Sequence, residues 1–155
     1  GLGDVYKRQW LDSYFNGENP SIENLDLNPQ GTDFRLKVWK ILEGIAYGEV
    51  VTYGDIAKKI SYDMSSQAVG GAVGHNPISI IVPCHRVVGF DGKLTGYAGG
   101  LENKVKLLEL EGVKIRDLKV IFQIIITFFN PILLIYFYDI CAIILFIFKS
   151  RDDAF

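Results

Sequence analysis

Apolar residues recur at Phe34, Val38, Ile41, Leu42 and Ile45, the spacing of a helix that turns one face to a core. Thr32 is placed to cap its start, and Gly44 and Gly48 fall near its end. Farther on, Thr52 and Asp55 have the spacing of a capping box that opens a short helix through Ile56, Ala57 and Ile60. After a turn at Ser61-Tyr62-Asp63, a second helix is predicted over 65–73, and the pair reads as a helix-turn-helix. That second helix has little side-chain bulk: Ala68, Gly70, Gly71, Ala72 and Gly74. Each interior glycine costs about 1 kcal/mol of helix stability, so the series implies close approach of another backbone. Tight packing against the neighbouring helix and approach of a nucleic acid both fit.

The apolar run 78–82 predicts a buried strand, Asp91-Gly92 a turn, and Thr95-Gly96-Tyr97-Ala98-Gly99-Gly100 a loop that could form a hinged wall over a pocket. The loop lacks the spacing of the standard nucleotide-binding fingerprints. Leu101, Val105 and Leu108 continue as a final helix closed by Gly112.

The ends depart from this pattern. Residues 1–9 show no amphipathic period and read as an assembly scar. Residues 10–15 read as the last turns of a helix and 16–31 as a linker, so 10–30 is a remnant of a preceding domain with its linker. The main domain is 31–116, and 117–155 is an atypical tail, nearly continuous Ile, Phe, Leu and Tyr over 118–148. Residues 121–148 are long enough to cross a bilayer, which takes about 20 apolar residues. Asn130-Pro131 and Asp139 oppose this, the aspartate costing about 3 kcal/mol near a membrane centre. Three readings fit: translated AT-rich non-coding DNA, which the residue choice favours, a membrane segment, and a buried helix.

Composition narrows the functional classes. The net charge of −2 argues against a protein that holds nucleic acid by bulk electrostatics, so a nucleic-acid function must come from a few placed groups. The two cysteines, Cys84 and Cys141, lie in segments of opposite character and indicate no disulfide framework, which points to the cytoplasm; 121–148 is the one segment that would add membrane association. No His, Cys and carboxylate cluster has metal spacing, so neither metal nor cofactor is expected.

The strongest chemical signal is Pro83-Cys84-His85-Arg86. A free thiol has a pKa of about 8.5 and is mostly protonated at neutral pH, so a reactive cysteine needs a base or a positive neighbour. His85 and Arg86 are adjacent in sequence. A small buried hydrophobe is the competing reading of Cys84.

Several stretches line up in order: Gly31-Thr32-x-Phe34 with Val38-Trp39; Tyr47-Gly48-Glu49 with Thr52-Tyr53-Gly54-Asp55-Ile56-Ala57; Ala68-Val69-Gly70-Gly71-Ala72; Asn76-Pro77-Ile78; Pro83-Cys84-His85-Arg86-Val87; and Gly96-Tyr97-x-Gly99-Gly100-Leu101. Together they closely resemble the active-site domain of the O6-alkylguanine-DNA alkyltransferases, over roughly residues 10–112. The resemblance implies an α+β, mainly helical, winged helix-turn-helix-like domain. It implies a monomer that binds double-stranded DNA containing O6-alkylguanine, with O4-alkylthymine as a further substrate. The helix-turn-helix would dock in the minor groove and the damaged base would swing out into a pocket.

By this resemblance Cys84 takes the alkyl group once and irreversibly. His85 acts as its base through a water, Asn76 braces the turn, and Tyr53 crowds the phosphate and donates a proton to the departing guanine. Carbonyls of Cys84 and Val87 read the exocyclic amine, and the loop at Tyr97 and Ala98 covers the base. Gln67, Ala68, Gly70 and Gly71 meet the DNA. Pro83 and Arg86 are structural, Arg86 as a hydrogen-bonder behind the site. His75 reads as a solvated loop histidine, with DNA contact the alternative. A non-catalytic relative that flags alkylated guanine for other repair machinery is the alternative function; such relatives lack the cysteine.

The sequence departs from the family pattern at two places. Gln67 stands where many members have an arginine, which implies weaker and more salt-tolerant DNA binding. Val105 stands where several members are expected to place a glutamate that orients the histidine, which would leave His85 in need of another acceptor.

Overall fold

A computed structural model describes residues 2–121, so the tail at 122–155, with Cys141, lies outside the described residues. Five helices and four two-residue strands follow in the order α1 (Leu2–Phe15), α2 (Asp33–Glu43), β1 (Val51–Thr52), α3 (Tyr53–Ile60), α4 (Ser66–Gly74), β2 (Val87–Val88), α5 (Leu101–Leu110), β3 (Ile115–Arg116) and β4 (Lys119–Val120). None of the helices among the described residues is long and apolar enough to cross a membrane.

The predicted caps form. Thr32 Oγ1 accepts the Arg35 amide at the start of α2. Thr52 accepts the Asp55 amide at 3.1 Å while Asp55 accepts the Thr52 amide at 3.0 Å, the reciprocal pair of a capping box at α3. α2, α3 and α4 pack through Val38, Trp39, Leu42, Ile45, Ile56, Ala57, Val69, Ala72 and Val73. The Trp39 indole N–H donates to Ala72 O at 2.9 Å, so a large core side chain also fixes α2 against α4.

β1 and β2 pair in parallel, with Val51 opposite Val87 and Thr52 opposite Val88. This pairing ties the start of the helix-turn-helix to the segment that follows Cys84. β3 and β4 form an antiparallel hairpin turned by Asp117 and Leu118, both with positive φ. The Leu94 amide donates to Leu118 O and the Val120 amide to Gly92 O, so the hairpin extends the loop after β2 into a small wing. The wing buries Val88, Leu94, Leu108, Val113 and Val120 together.

Three local expectations change. Residues 78–82 are not a strand. The Val82 amide returns to Ile78 O at 3.0 Å, and Ile80 has φ 76°, which closes the segment into a turn. The apolar run reflects burial of Ile81 and Val82 in a packed loop, which periodicity cannot distinguish from a strand. Helix α1 starts at Leu2, with residues 3–9 mostly exposed; only Trp10 and Tyr14 are buried, so the earlier turns carry no core pattern to read. The wing crosses the Arg116–Asp117 boundary drawn from composition, because Val120 belongs to the second core cluster. Residues 16–31 lack regular structure. They nonetheless pack, with Ile22, Leu25 and Leu27 on the clusters of Trp10 and Trp39, and Pro20 O accepts the Trp10 indole N–H.

Gly48 has φ 76°, and a Cβ there would lie 2.9 Å from Glu111 O. Gly48→Ala is therefore expected to cost about 2 kcal/mol or more, from left-handed strain and a backbone clash, measured as a lower urea midpoint at unchanged slope.

Candidate active site

Cys84 opens a single 3-10 turn, Cys84–Arg86, and is 5% exposed. It lines a cavity of about 350 Å3 with Tyr53, Gly70, Val73, Asn76, Ser79, Tyr97 and Ala98, at the low end of the roughly 300–1,000 Å3 of small-molecule sites. Asn76 builds the floor: its side-chain amide donates to Val82 O at 2.8 Å and its carbonyl accepts the Ile78 amide at 3.0 Å. Both bonds hold the turn that presents the cysteine. Tyr53, on the first turn of α3, receives the Thr95 hydroxyl at 3.3 Å and stands between this cavity and a second of about 300 Å3 lined by Gln67 and the 97%-exposed Phe90.

Tyr97 arches over the site, and Gly99 lets it do so, since a Cβ at Gly99 would lie 2.8 Å from the ring. Burial, and secondarily the nearby Cys84, pushes the Tyr97 hydroxyl up to about 12. Ala98 is exposed at the lip.

The small residues of α4 separate into two faces. Val69, Ala72 and Val73 are buried, while Gln67, Ala68, Gly71 and Gly74 are exposed. A Cβ at Gly71 or Gly74 would meet nothing within 4 Å, so tight packing against a neighbouring helix does not explain these two glycines. At Gly70 the nearest atoms are those of the Tyr53 ring at 3.8 Å, an ordinary contact. His75 is exposed and its Nδ1 lies 2.7 Å from Gly71 O at the C-cap of α4.

Behind Cys84, His85 is wholly buried with Nε2 2.8 Å from Glu111 Oε1. This corrects the expectation drawn from Val105. The partner of His85 is Glu111, just beyond the end of α5, and Val105 is an apolar side chain on the wing cluster. Arg86 Nε and an Nη donate to the two oxygens of Glu111, each at 2.9 Å, and the other Nη donates to Ile45 O. The Gly48 amide adds a bond to Oε2 at 3.2 Å.

Burial alone would raise the Glu111 carboxyl, but hydrogen bonds from His85 and Arg86 outweigh it and hold the group at about 2. Burial is also the main influence on His85 and lowers it despite Glu111. A neutral imidazole facing an ionised carboxylate through Nε2 must carry its proton there, so Nδ1 has a bare lone pair. Among the described residues, that Nδ1 is the one buried side-chain polar atom without a protein partner. The arrangement is a base with its donor side fixed.

Lys104 and Glu111 escaped sequence reasoning. Lys104 is wholly buried and donates to Val87 O at 2.6 Å and Thr95 O at 2.9 Å, joining β2 to the glycine loop. Burial pulls its ammonium down to about 8. The Val87 carbonyl expected to read a base is therefore already engaged by Lys104. Both charges follow the stripe Leu101, Lys104, Leu108, Glu111, helical spacing on a core face, and two charges on such a stripe were a legible signal.

The class that emerges is an α+β helix-turn-helix domain whose second helix, α4, borders a cysteine-floored cavity. Comparison with known proteins is more specific. The family model of the 6-O-methylguanine DNA methyltransferase DNA-binding domain matches residues 33–113, just over half the chain, and the chain belongs to that family. It is 51% identical over 107 residues to a methylated-DNA–protein-cysteine methyltransferase of Haemophilus influenzae, covering 69% of this chain and 60% of that protein. To the protein of the same name from Methanosarcina acetivorans it is 56% identical over 102 residues, covering 66% and 65%. The chain thus spans less than two thirds of the length of each. A Mycobacterium tuberculosis OGT structure in complex with DNA superposes with a TM-score of 0.65 at 52% identity, covering 68% of this chain and 64% of that one.

Glu111→Gln is expected to cost about 3–5 kcal/mol at pH 7, because it leaves the Arg86 guanidinium buried without its counter-charge. The folded-state pKa of Glu111 lies below its unfolded value of about 4.3, so its stabilisation is full above pH 4.3 and lost as pH falls toward 2. Urea denaturation should show the gap between wild type and variant narrowing across that window.

Proposed function

We propose that this chain repairs DNA by direct reversal, transferring an alkyl group from O6-alkylguanine, and by extension O4-alkylthymine, to Cys84. The observation that carries this reading is the buried Cys84 on the floor of a base-sized cavity, next in sequence to a histidine whose Nε2 faces Glu111 and whose Nδ1 is bare. The exposed small-residue face of α4 supports a helix laid along the minor groove of duplex DNA, where side-chain bulk would hold the backbone away. Gln67 fills the gap left by the extruded base, and Ala68, Gly70 and Gly71 meet the strand.

In the reaction the Cys84 proton passes through a bridging water to His85 Nδ1, and the thiolate attacks the alkyl carbon. The S–C bond forms as the C–O6 bond breaks, and the electron pair stays on the guanine oxygen. Tyr53 supplies a proton to the guanine and is recharged by the one held on His85, so the thiol proton ends on the repaired base. Glu111 stabilises the imidazolium that exists between these transfers. The remaining carbonyl capacity of Cys84 and Val87 reads the exocyclic amine, and the loop at Tyr97 and Ala98 covers the base. A thioether is not hydrolysed by any of these groups, so each molecule reacts once. The protein acts as a monomer in the cytoplasm and requires no cofactor.

Duplex DNA carrying labelled O6-methylguanine should transfer close to one methyl group per chain, and none to Cys84→Ala. Transfer continuing beyond one per chain, or persisting in the variant, would rule the mechanism out. Gln67→Arg should tighten duplex binding and steepen the log–log salt dependence by about 0.9, the slope of one added phosphate contact. Equal slopes for the two proteins would remove Gln67 from the DNA interface.

A further inference from the structure

Tyr14 lies outside the region matched by the family model, on α1, yet its hydroxyl donates to Glu111 Oε1 at 2.7 Å. The same oxygen atom of Tyr14 is 3.3 Å from His85 Nε2. The side chain has no exposed surface, and its ring stacks on Trp10 at 5.4 Å and meets Tyr47 edge-on at 6.0 Å. Glu111 Oε1 therefore accepts from three donors, Tyr14, His85 and Arg86, each from a different position. Burial and the Glu111 carboxylate both push the Tyr14 hydroxyl up, so it stays a donor at any physiological pH.

We propose that Tyr14 is a positioning residue for the chemistry at Cys84: its hydroxyl anchors the Glu111 carboxylate and sets how strongly that carboxylate supports a proton on His85. The geometry gives the direction. Each donor on Oε1 draws off part of the negative charge that would otherwise face Nε2. With the hydroxyl in place, His85 keeps a moderated counter-charge and passes its proton on to Tyr53; without it, Glu111 holds the imidazolium more tightly. Besides Glu111, the charged and titratable groups around His85 are Lys104 from α5, Arg86 and Cys84 from its own turn, and Tyr47 beyond Tyr14. Segment 10–15, read from sequence as a remnant, then supplies a working part of the site.

The proposal rests on the alkyl-transfer reading only for its purpose; its test reads His85 directly. In the full chain with Cys84→Ser, imidazole 15N shifts are followed from pH 4 to 9 with and without Tyr14→Phe. The expected result is a rise in the His85 pKa of about half a unit to one unit, what the net strength of one hydrogen bond converts to. Tyr47→Phe is the control, since it removes a neighbouring hydroxyl that donates to Leu110 O and leaves the carboxylate alone. An unchanged His85 signal in Tyr14→Phe, or the same displacement in Tyr47→Phe, overturns the proposal. Methyl transfer by the unsubstituted chain is measured alongside; its absence would sink the function while leaving the His85 comparison intact.

Discussion

The Glu111 carboxylate is the interaction on which the rest of the structure depends. It is wholly buried, and its oxygens accept from Tyr14 on α1, Gly48 after α2, and His85 and Arg86 on the cysteine turn. Three separate stretches of chain converge on one negative charge. A buried carboxylate is costly unless every lone pair is occupied, and here the desolvation is offset by five hydrogen bonds, two of them from a guanidinium. The constraint works in both directions. The carboxylate needs the fold to supply its donors, and the cysteine turn needs the carboxylate to be held at that depth.

Much of this organisation was written locally. The capping box at Thr52 and Asp55, the N-cap at Thr32, and the turn and second helix of the helix-turn-helix depend on residues within a few positions of one another, and they formed as read. Asn76 was named only through the family resemblance, although its partners turn out to be local, two and six residues away. What stayed hidden was long-range. Glu111 lies 26 residues from His85 and 97 from Tyr14, and no periodicity reports which buried charge meets which. The apolar run before Cys84 was misread as a strand because burial and extended backbone leave the same mark on so short a segment.

The family membership and the geometry bear on different parts of the molecule. The matched region, 33–113, contains the helix-turn-helix, the cysteine turn and Glu111. Tyr14 and the packed segment around Pro20, Leu25 and Leu27 lie before it; Tyr14 bonds Glu111 directly, and Leu25 and Leu27 pack on the Trp10 and Tyr14 cluster. An account confined to the matched region would omit one of the donors to its own central carboxylate.

The open space around Gly71 and Gly74 sets folding and binding against each other. Alanine would fit at both positions without contact, and at Gly71, inside the helix, it is favoured over glycine by about 1 kcal/mol. The isolated domain would therefore be firmer with a methyl group on that face. That forgone stability has a purpose if α4 docks as proposed, with the bare backbone laid against a surface supplied from outside the chain.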